Sequence, residues 1–446
     1  MNRPAARRLI CAASLAAPAA VAACACVCPA AAQLLQDPST VVVPPEPPLT
    51  SDRSVFSRDR DVAVADRVLP AISAQRLTLG AFDLYPGLAI GGQYTSNLFA
   101  NNDRRRSDIA LVVRPELTVR TSSGPYRATA YARGDLRRYA SHVSENTEEG
   151  MAGLEGSVAV GALSSLSAGA SYGAFITPRF AADSPVDAAK PLEYTGVNAF
   201  AGATIEGAAT RVILRADAAS LRFRDAPRVG GGTLFTRDRD RARYQASVRI
   251  ERALSPAVSV YGAASVNAID YRFATTGTRD SKGYGVYVGS SFEVSALMRG
   301  DVRVGYIRQT FDLAGVRPLS GLGTLGRLVY FPNRLWTITA TAESSIQDSG
   351  VPGTGGVLHR GGSIRSDHEL RRYLIAGIEG GYFRDTYRGI RRRDVLPYAD
   401  VSLTYLSRSH WNARLGYRYR ARDCTCAGGV TDFDDHRVSA TLTFQY

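Results

Sequence analysis

From about Tyr85 to the C-terminus, apolar and polar residues alternate along the chain in one segment after another. The last segment shows it plainly: Val438, Ala440, Leu442, Phe444 and Tyr446 alternate with Arg437, Ser439, Thr441, Thr443 and Gln445. A period of two sends alternate side chains to opposite faces of a β-strand. Trp411, Ala413, Leu415, Tyr417, Tyr419 and Ala421 likewise oppose Asn412, Arg414, Gly416, Arg418, Arg420 and Arg422. Val401, Leu403 and Tyr405 oppose Asp400, Ser402 and Thr404; Tyr244, Ala246, Val248 and Ile250 oppose Arg243, Gln245, Ser247, Arg249 and Glu251.

One face of each strand is therefore apolar with tyrosines, and the other is polar and often charged. A soluble sandwich also alternates, but this chain predicts many such strands and no helices to cover a large sheet. An exported, strand-only chain in lipid has to close, because a bilayer core cannot satisfy an open strand edge. At about ten residues per crossing plus turns, the stretch from Tyr85 to Tyr446 holds about 16 to 18 strands. The predicted fold is all-β: a large antiparallel transmembrane barrel of outer-membrane type over residues 76–446, wide enough for a wet or plugged lumen. Longer breaks at Phe180–Pro191, Ala226–Arg237, Thr275–Lys282, Leu313–Arg327, Ser349–Gly362 and Asp423–Asp435 read as outer loops.

Export is read from the N-terminus. Residues 1–32 have a basic start, an apolar stretch from Leu9 and Ala30-Ala31-Ala32 before Gln33, the form of a secretory signal peptide. Cleavage is expected after Ala32; Val21-Ala22-Ala23-Cys24 is the competing, lipoprotein-like site. Residues 33–75, with Pro44-Pro45-Glu46-Pro47-Pro48 and the charged run Asp52 to Asp61, read as a largely disordered periplasmic linker.

Composition adds two things. Tyr 22 and Phe 15 against Trp 2 suit interfacial positions where a ring has one wet end. The net charge of +13 comes from arginines spread along strands at alternate positions, which favours a pore lining over a nucleic-acid patch. Arg243, Arg249, Arg414, Arg418, Arg420 and Arg422 are the pore-lining candidates. Two roles stay open for them: pairing with acidic loop residues to hold the lumen in shape, or a field that concentrates anions.

Catalytic and metal motifs are missing from the sequence. The histidines are scattered, with no HExxH, no GxxxxGK[ST] loop and no GxSxG elbow. His142-Val143-Ser144 with Asn146 would place base and hydroxyl on one face of a strand, as a lipase-like barrel needs, but Glu145, Glu148 and Glu149 crowd it. Asp432, Asp434 and Asp435 lack EF-hand spacing. Cys424 and Cys426 are expected to form a loop disulfide in an oxidising compartment. No enzyme, metal or cofactor is expected.

Short pieces of the chain resemble a family of outer-membrane β-barrel porins often associated with exopolysaccharide secretion. They are Tyr94-Thr95-Ser96-Asn97-Leu98, Asp108 running to Arg114-Pro115, Arg279-Asp280-Ser281-Lys282-Gly283-Tyr284, Asp367-His368-Glu369-Leu370-Arg371-Arg372 and Tyr405-Leu406-Ser407-Arg408. The resemblance covers roughly residues 77–446 and implies a barrel in the outer membrane of a Gram-negative bacterium. The expected function is a porin or export channel for solutes or an anionic exopolysaccharide, with a structural or adhesive barrel of plugged lumen as the alternative. The partners expected are outer-membrane lipids, the barrel assembly machinery through Phe444-Gln445-Tyr446, and polysaccharide secretion components, but no nucleic acid.

Overall fold

The computed structural model describes residues 63–64 and 76–445, apart from 122–123, 125, 162, 274–277, 296, 408–410 and 427–431. The signal peptide, the possible lipidation at Cys24 and Tyr446 lie outside the described residues, as does the linker apart from Ala63 and Val64.

Eighteen long strands follow one another. The first six are β1 (Phe82–Thr95), β2 (Asp108–Thr121), β3 (Tyr126–Tyr139), β4 (Thr147–Val160), β5 (Ser164–Thr177) and β6 (Leu192–Glu206). Then come β7 (Thr210–Phe223), β8 (Arg241–Ser255), β9 (Val258–Tyr271), β10 (Ser281–Ser295), β11 (Met298–Phe311) and β12 (Leu319–Asn333). The last are β13 (Trp336–Gln347), β14 (Gly356–Arg371), β15 (Leu374–Arg388), β16 (Arg392–Leu406), β17 (Trp411–Cys426) and β18 (Phe433–Gln445). Each pairs antiparallel with its neighbours, and β18 returns to β1 with Gly87 opposite Gln445 and Thr95 opposite Arg437. The sheet closes, so it has no long free edge.

The face assignment follows from burial. Leu415, Tyr417, Val438, Leu442 and Phe444 are exposed on the outside, while Asn412, Arg414, Arg437 and Ser439 are buried on the inside. A soluble protein would hide the first set; a lipid-facing barrel displays it. Aromatic rings gather towards both ends of the outer surface. Tyr126, Tyr330, Trp336 and Tyr405 lie near one end, and Tyr94, Tyr244 and Tyr284 near the other.

The two ends differ. β8–β9, β10–β11, β12–β13 and β14–β15 are joined by two residues each, and the barrel's first and last strands begin and stop at that end. Long connections over 96–107, 178–191 and 224–240 crowd the other end. Short turns mark the periplasmic side of such barrels and long loops the outer side.

Two prolines interrupt the ladder. Pairing of β16 with β17 jumps from Val395↔Asp423 to Tyr398↔Arg420, across Pro397. Between β2 and β3 it jumps from Val113↔Leu136 to Glu116↔Arg133, across Pro115. Proline has no N–H to give, so the strands open locally.

Ahead of β1, a short strand (Leu77–Leu79) folds back on it, Leu79 opposite Phe82. Further upstream, Ala63 packs on Val329 and Phe331, and Val64 on Ile375 and Leu406. The Val64 N–H donates to Thr337 Oγ1 at 3.0 Å. At these two positions the chain is seated on the barrel.

Candidate functional site

The inner wall is built from a repeated local arrangement. Side chains at i and i+2 of a strand share a face, so an arginine two residues from an acid can reach it. Pairs of this kind among the described residues include Asp135–Arg137 at 2.9 Å, Arg215–Asp217 at 2.7 Å, Arg249–Glu251 at 3.4 Å, Arg365–Asp367 at 2.7 Å, Arg392–Asp394 at 2.6 Å and Asp435–Arg437 at 2.6 Å. Neighbouring strands extend them. Arg114 joins Asp135 at 2.7 Å, Asp301 joins Arg249 at 3.4 Å and Glu379 joins Arg365 at 3.3 Å.

All six arginines singled out from the sequence lie on this inner face, and the structure draws four of them into one wall. On β17, Arg414 and Arg418 converge on Asp400 of β16, at 3.9 and 3.0 Å. Arg420 reaches Asp435 of β18 at 3.2 Å, and Arg422 donates to the Phe180 carbonyl at 3.3 Å. Arg243 and Arg249 stand apart on β8. Arg243 is buried near the outer end, and Arg249 lies 3.4 Å over the Tyr261 ring, whose hydroxyl donates to Asp301 at 2.8 Å. The acids that meet Arg249, Arg414, Arg418 and Arg420 stand on the wall strands: Glu251, Asp301, Asp400 and Asp435.

The decisive element is the connection 178–191, which reaches across the lumen from β5–β6 to β16–β18. Its root is fixed by Arg179, whose guanidinium holds the buried Glu145 at 2.8 and 2.5 Å and donates to the Ala188 carbonyl at 2.9 Å. Asp187 and Ala189 bond the neighbouring loop at Val229 and Pro227, and Ala188, Leu192, Ala226 and Leu234 pack below. Its tip lands on arginines. The Arg420 guanidinium covers the Phe180 ring at 3.6 Å, Arg437 approaches the same ring at 5.7 Å, and Arg392 donates to the Ala182 carbonyl at 3.1 Å.

Beside this landing lies a cavity of about 310 Å³, bounded by Phe180, His359, Phe383, Tyr398, Arg420 and Arg422 among others. His359 stacks on Phe383 at 4.9 Å and bonds Asp385 at 2.5 Å and Glu343 at 3.0 Å through its two ring nitrogens. Phe383 is in turn near-parallel to Tyr398.

The lipase-like constellation loses its premise. Val143–Glu145 form a 3₁₀ turn, so His142 and Ser144 do not share a strand face. His142 Nδ1 pairs with Asp108 at 2.8 Å, and Asn146 Oδ1 accepts the Tyr139 N–H at 2.7 Å. The three loop aspartates do not converge either. Asp432 accepts the Cys424 N–H at 2.6 Å, Asp434 pairs with Arg105, and Asp435 faces inward between Arg420 and Arg437. Cys424 and Cys426 are bonded, with Cα atoms 5.5 Å apart, and they form the outer end of β17 in place of a loop.

Closed topology, an apolar outside and a charged inside define an outer-membrane β-barrel of the Gram-negative envelope. The chain belongs to the family described as "Putative beta-barrel porin 2", whose match spans residues 70–446. No curated protein matches the chain. Among solved structures, it is similar to the outer membrane protein opdK from Pseudomonas aeruginosa, at 14% identity over 82% of this chain and 99% of that one, with a TM-score of 0.44. It is also similar to a BenF-like porin from Pseudomonas fluorescens Pf-5, at 10% identity over 81% and 99%, with a TM-score of 0.45. OccAB4 from Acinetobacter baumannii gives 11% identity over 81% and 98%, with a TM-score of 0.44.

Phe180 and Arg179 were not singled out in the sequence, where 180–191 was only a break. The i,i+2 pattern of arginine and acid was there to be read and points to the inner face. Nothing local in the sequence announces that a loop will cross the lumen.

Proposed function

We propose that this porin passes small anionic solutes through a lumen narrowed by the 178–191 connection. The observation that carries the reading is the arginine landing of that loop. Arg420 and Arg437 share Asp435, Arg392 takes Asp394, and Arg422 is held by backbone carbonyls. Four guanidiniums, those of Arg392, Arg420, Arg422 and Arg437, gather where the inward loop meets the wall, and this density of arginine beside the path supports a positive local field. In a confined, partly desolvated passage such a field raises the local anion concentration and repels cations. The barrel needs no chemistry for this, and the lumen pairs keep the remaining arginines fixed in place.

Export of an anionic exopolysaccharide is the bulkier version of the same selectivity. The inward loop disfavours it, because a polymer has to thread beside Phe180. Proteoliposome uptake separates the two. Small organic anions are expected to enter faster than cations of similar size, and anionic oligosaccharides to enter slowly and compete. Equal rates for anions and cations would overturn anion selectivity. Rapid passage of long anionic glycans would replace the small-solute reading with export.

A further inference from the structure

Most neighbouring strands pair towards their outer ends, but β12 and β13 part early. Their ladder runs from Asn333↔Trp336 to Thr324↔Ser344 and stops, leaving Leu319–Gly323 and Ser345–Gln347 unpaired across this junction. Both strands continue past the split, since β12 pairs with β11 up to Gln309↔Leu319 and β13 with β14 up to Gln347↔Val357. At the break the Ser344 hydroxyl donates to the Leu322 carbonyl at 2.6 Å. β4 and β5 also lose pairing beyond Gly150↔Ala174, but there the Glu149 carboxylate accepts the Ile176 N–H and bridges the gap.

Above the split the β13–β14 hairpin leans into the lumen. Alternation puts Ile346 on the lipid-facing side with Trp336, and Leu358 with Ile364. Both are nevertheless buried, in one cluster with Tyr287, Ile307 and Leu319 from the inner faces of β10, β11 and β12. The outer side of the hairpin therefore overlaps the inner side of its neighbours. Its tip agrees, because Asp348 meets Arg241 of β8 at 2.7 Å and the Tyr271 hydroxyl of β9 at 2.9 Å, both on the inner face. Two layers in apolar contact replace one hydrogen-bonded sheet at this place.

A ladder resists opening because lipid penalises every backbone group set free. An apolar overlap is non-directional and parts without breaking hydrogen bonds. The split lies at the level of the outer aromatic rings, where Tyr284, Arg308 and Ser320 form one row across β10–β12. Arg308 is exposed on the outside of that row, and Arg360 extends over Gly321, where a Cβ would meet its Nη2 at 3.2 Å. Neither has an ion-pair partner among the described residues, unlike the paired arginines of the lumen.

We infer that the split between β12 and β13 is a side passage joining the lumen to the outer leaflet, for single-chain amphiphiles with an anionic head. The tail passes between the apolar layers, and Arg308 and Arg360 guide the head. The passage rests on the channel reading above for its inner end, and on the broken ladder for its place.

The test uses the full chain in planar bilayers, with hexadecanesulfonate premixed in the lipid as the probe. In wild type it should block the chloride current from within the membrane. Pinning the overlap in L319C/I346C with a short bis-maleimide should abolish the block and keep the chloride current, while the single-cysteine variants stay blocked. Arg308→Glu should weaken the block about two- to five-fold, the size of an exposed charge contact, with chloride current unchanged. A block that persists in the crosslinked protein, or no block in wild type, overturns the side passage alone. Failure of the two cysteines to crosslink overturns the overlap. An unchanged block in Arg308→Glu overturns recognition of an anionic head. Absence of chloride current in every variant overturns the channel reading and the passage with it.

Discussion

At the residue scale, the inside of the barrel is held by paired charges whose partners stand two positions away on one strand. A charge buried without its partner costs far more than the pair contributes when whole, about 3 to 5 kcal/mol for breaking a buried pair. The faces can be tested directly on β17. Arg418→Glu should leave assembly intact and shift ion preference towards cations, because Arg418 is half-buried beside Asp400 and still reaches the lumen. Leu415→Arg should hinder insertion, since arginine on the lipid face costs about 2 to 4 kcal/mol near the midplane. Outer-membrane fractionation and bilayer recording read both. Normal insertion of Leu415→Arg with failed assembly of Arg418→Glu would turn the barrel inside out. This level was the most legible in the sequence, because a period of two needs no distant information. The partners were harder to foresee. Asp435 read as a loop residue, yet it faces inward on β18 and accepts Arg420, Arg437 and the Thr95 hydroxyl.

At the scale of elements, the strands were read more accurately than their boundaries. The expected break at Ser349–Gly362 runs too far, because β14 starts at Gly356. Gly361 lies inside that strand, where a Cβ would meet the Tyr382 carbonyl at 2.3 Å and the Phe383 ring at 2.6 Å. Gly323 in β12 likewise gives room to Ile307 and Tyr287. These glycines serve close packing of the inner wall, whereas the sequence reading placed both inside expected outer-loop breaks. The first outer connection, 96–107, was not foreseen, although Asn101-Asn102-Asp103 are turn-forming residues. For the 178–191 connection, Arg179→Ala should strand the buried Glu145 and loosen the loop root. The expected results are noisier single-channel current and faster protease cleavage within 178–191, with the barrel still inserted. Unchanged noise and cleavage would show that the wall arginines, without Arg179, hold the loop.

At the scale of the whole molecule, closure is the property that a reading of separate strands reaches only by argument. Lipid forbids an open edge, and the pairing of β18 with β1 supplies the seam. Folded protein should therefore migrate faster on a gel unheated than boiled, because a closed barrel resists detergent unfolding. A single band position under both conditions would contradict closure. The path of the loop and the seating of Ala63 and Val64 belong to the same scale, since each joins residues far apart in sequence. The most direct test of the central claim is the zero-current potential of the full-length protein in a planar bilayer under a potassium chloride gradient. Anion preference is predicted for wild type, moving towards cations in Arg420→Glu because that side chain lies at the loop's landing. A cation-preferring wild type, or a potential that Arg420→Glu leaves unmoved, would contradict it.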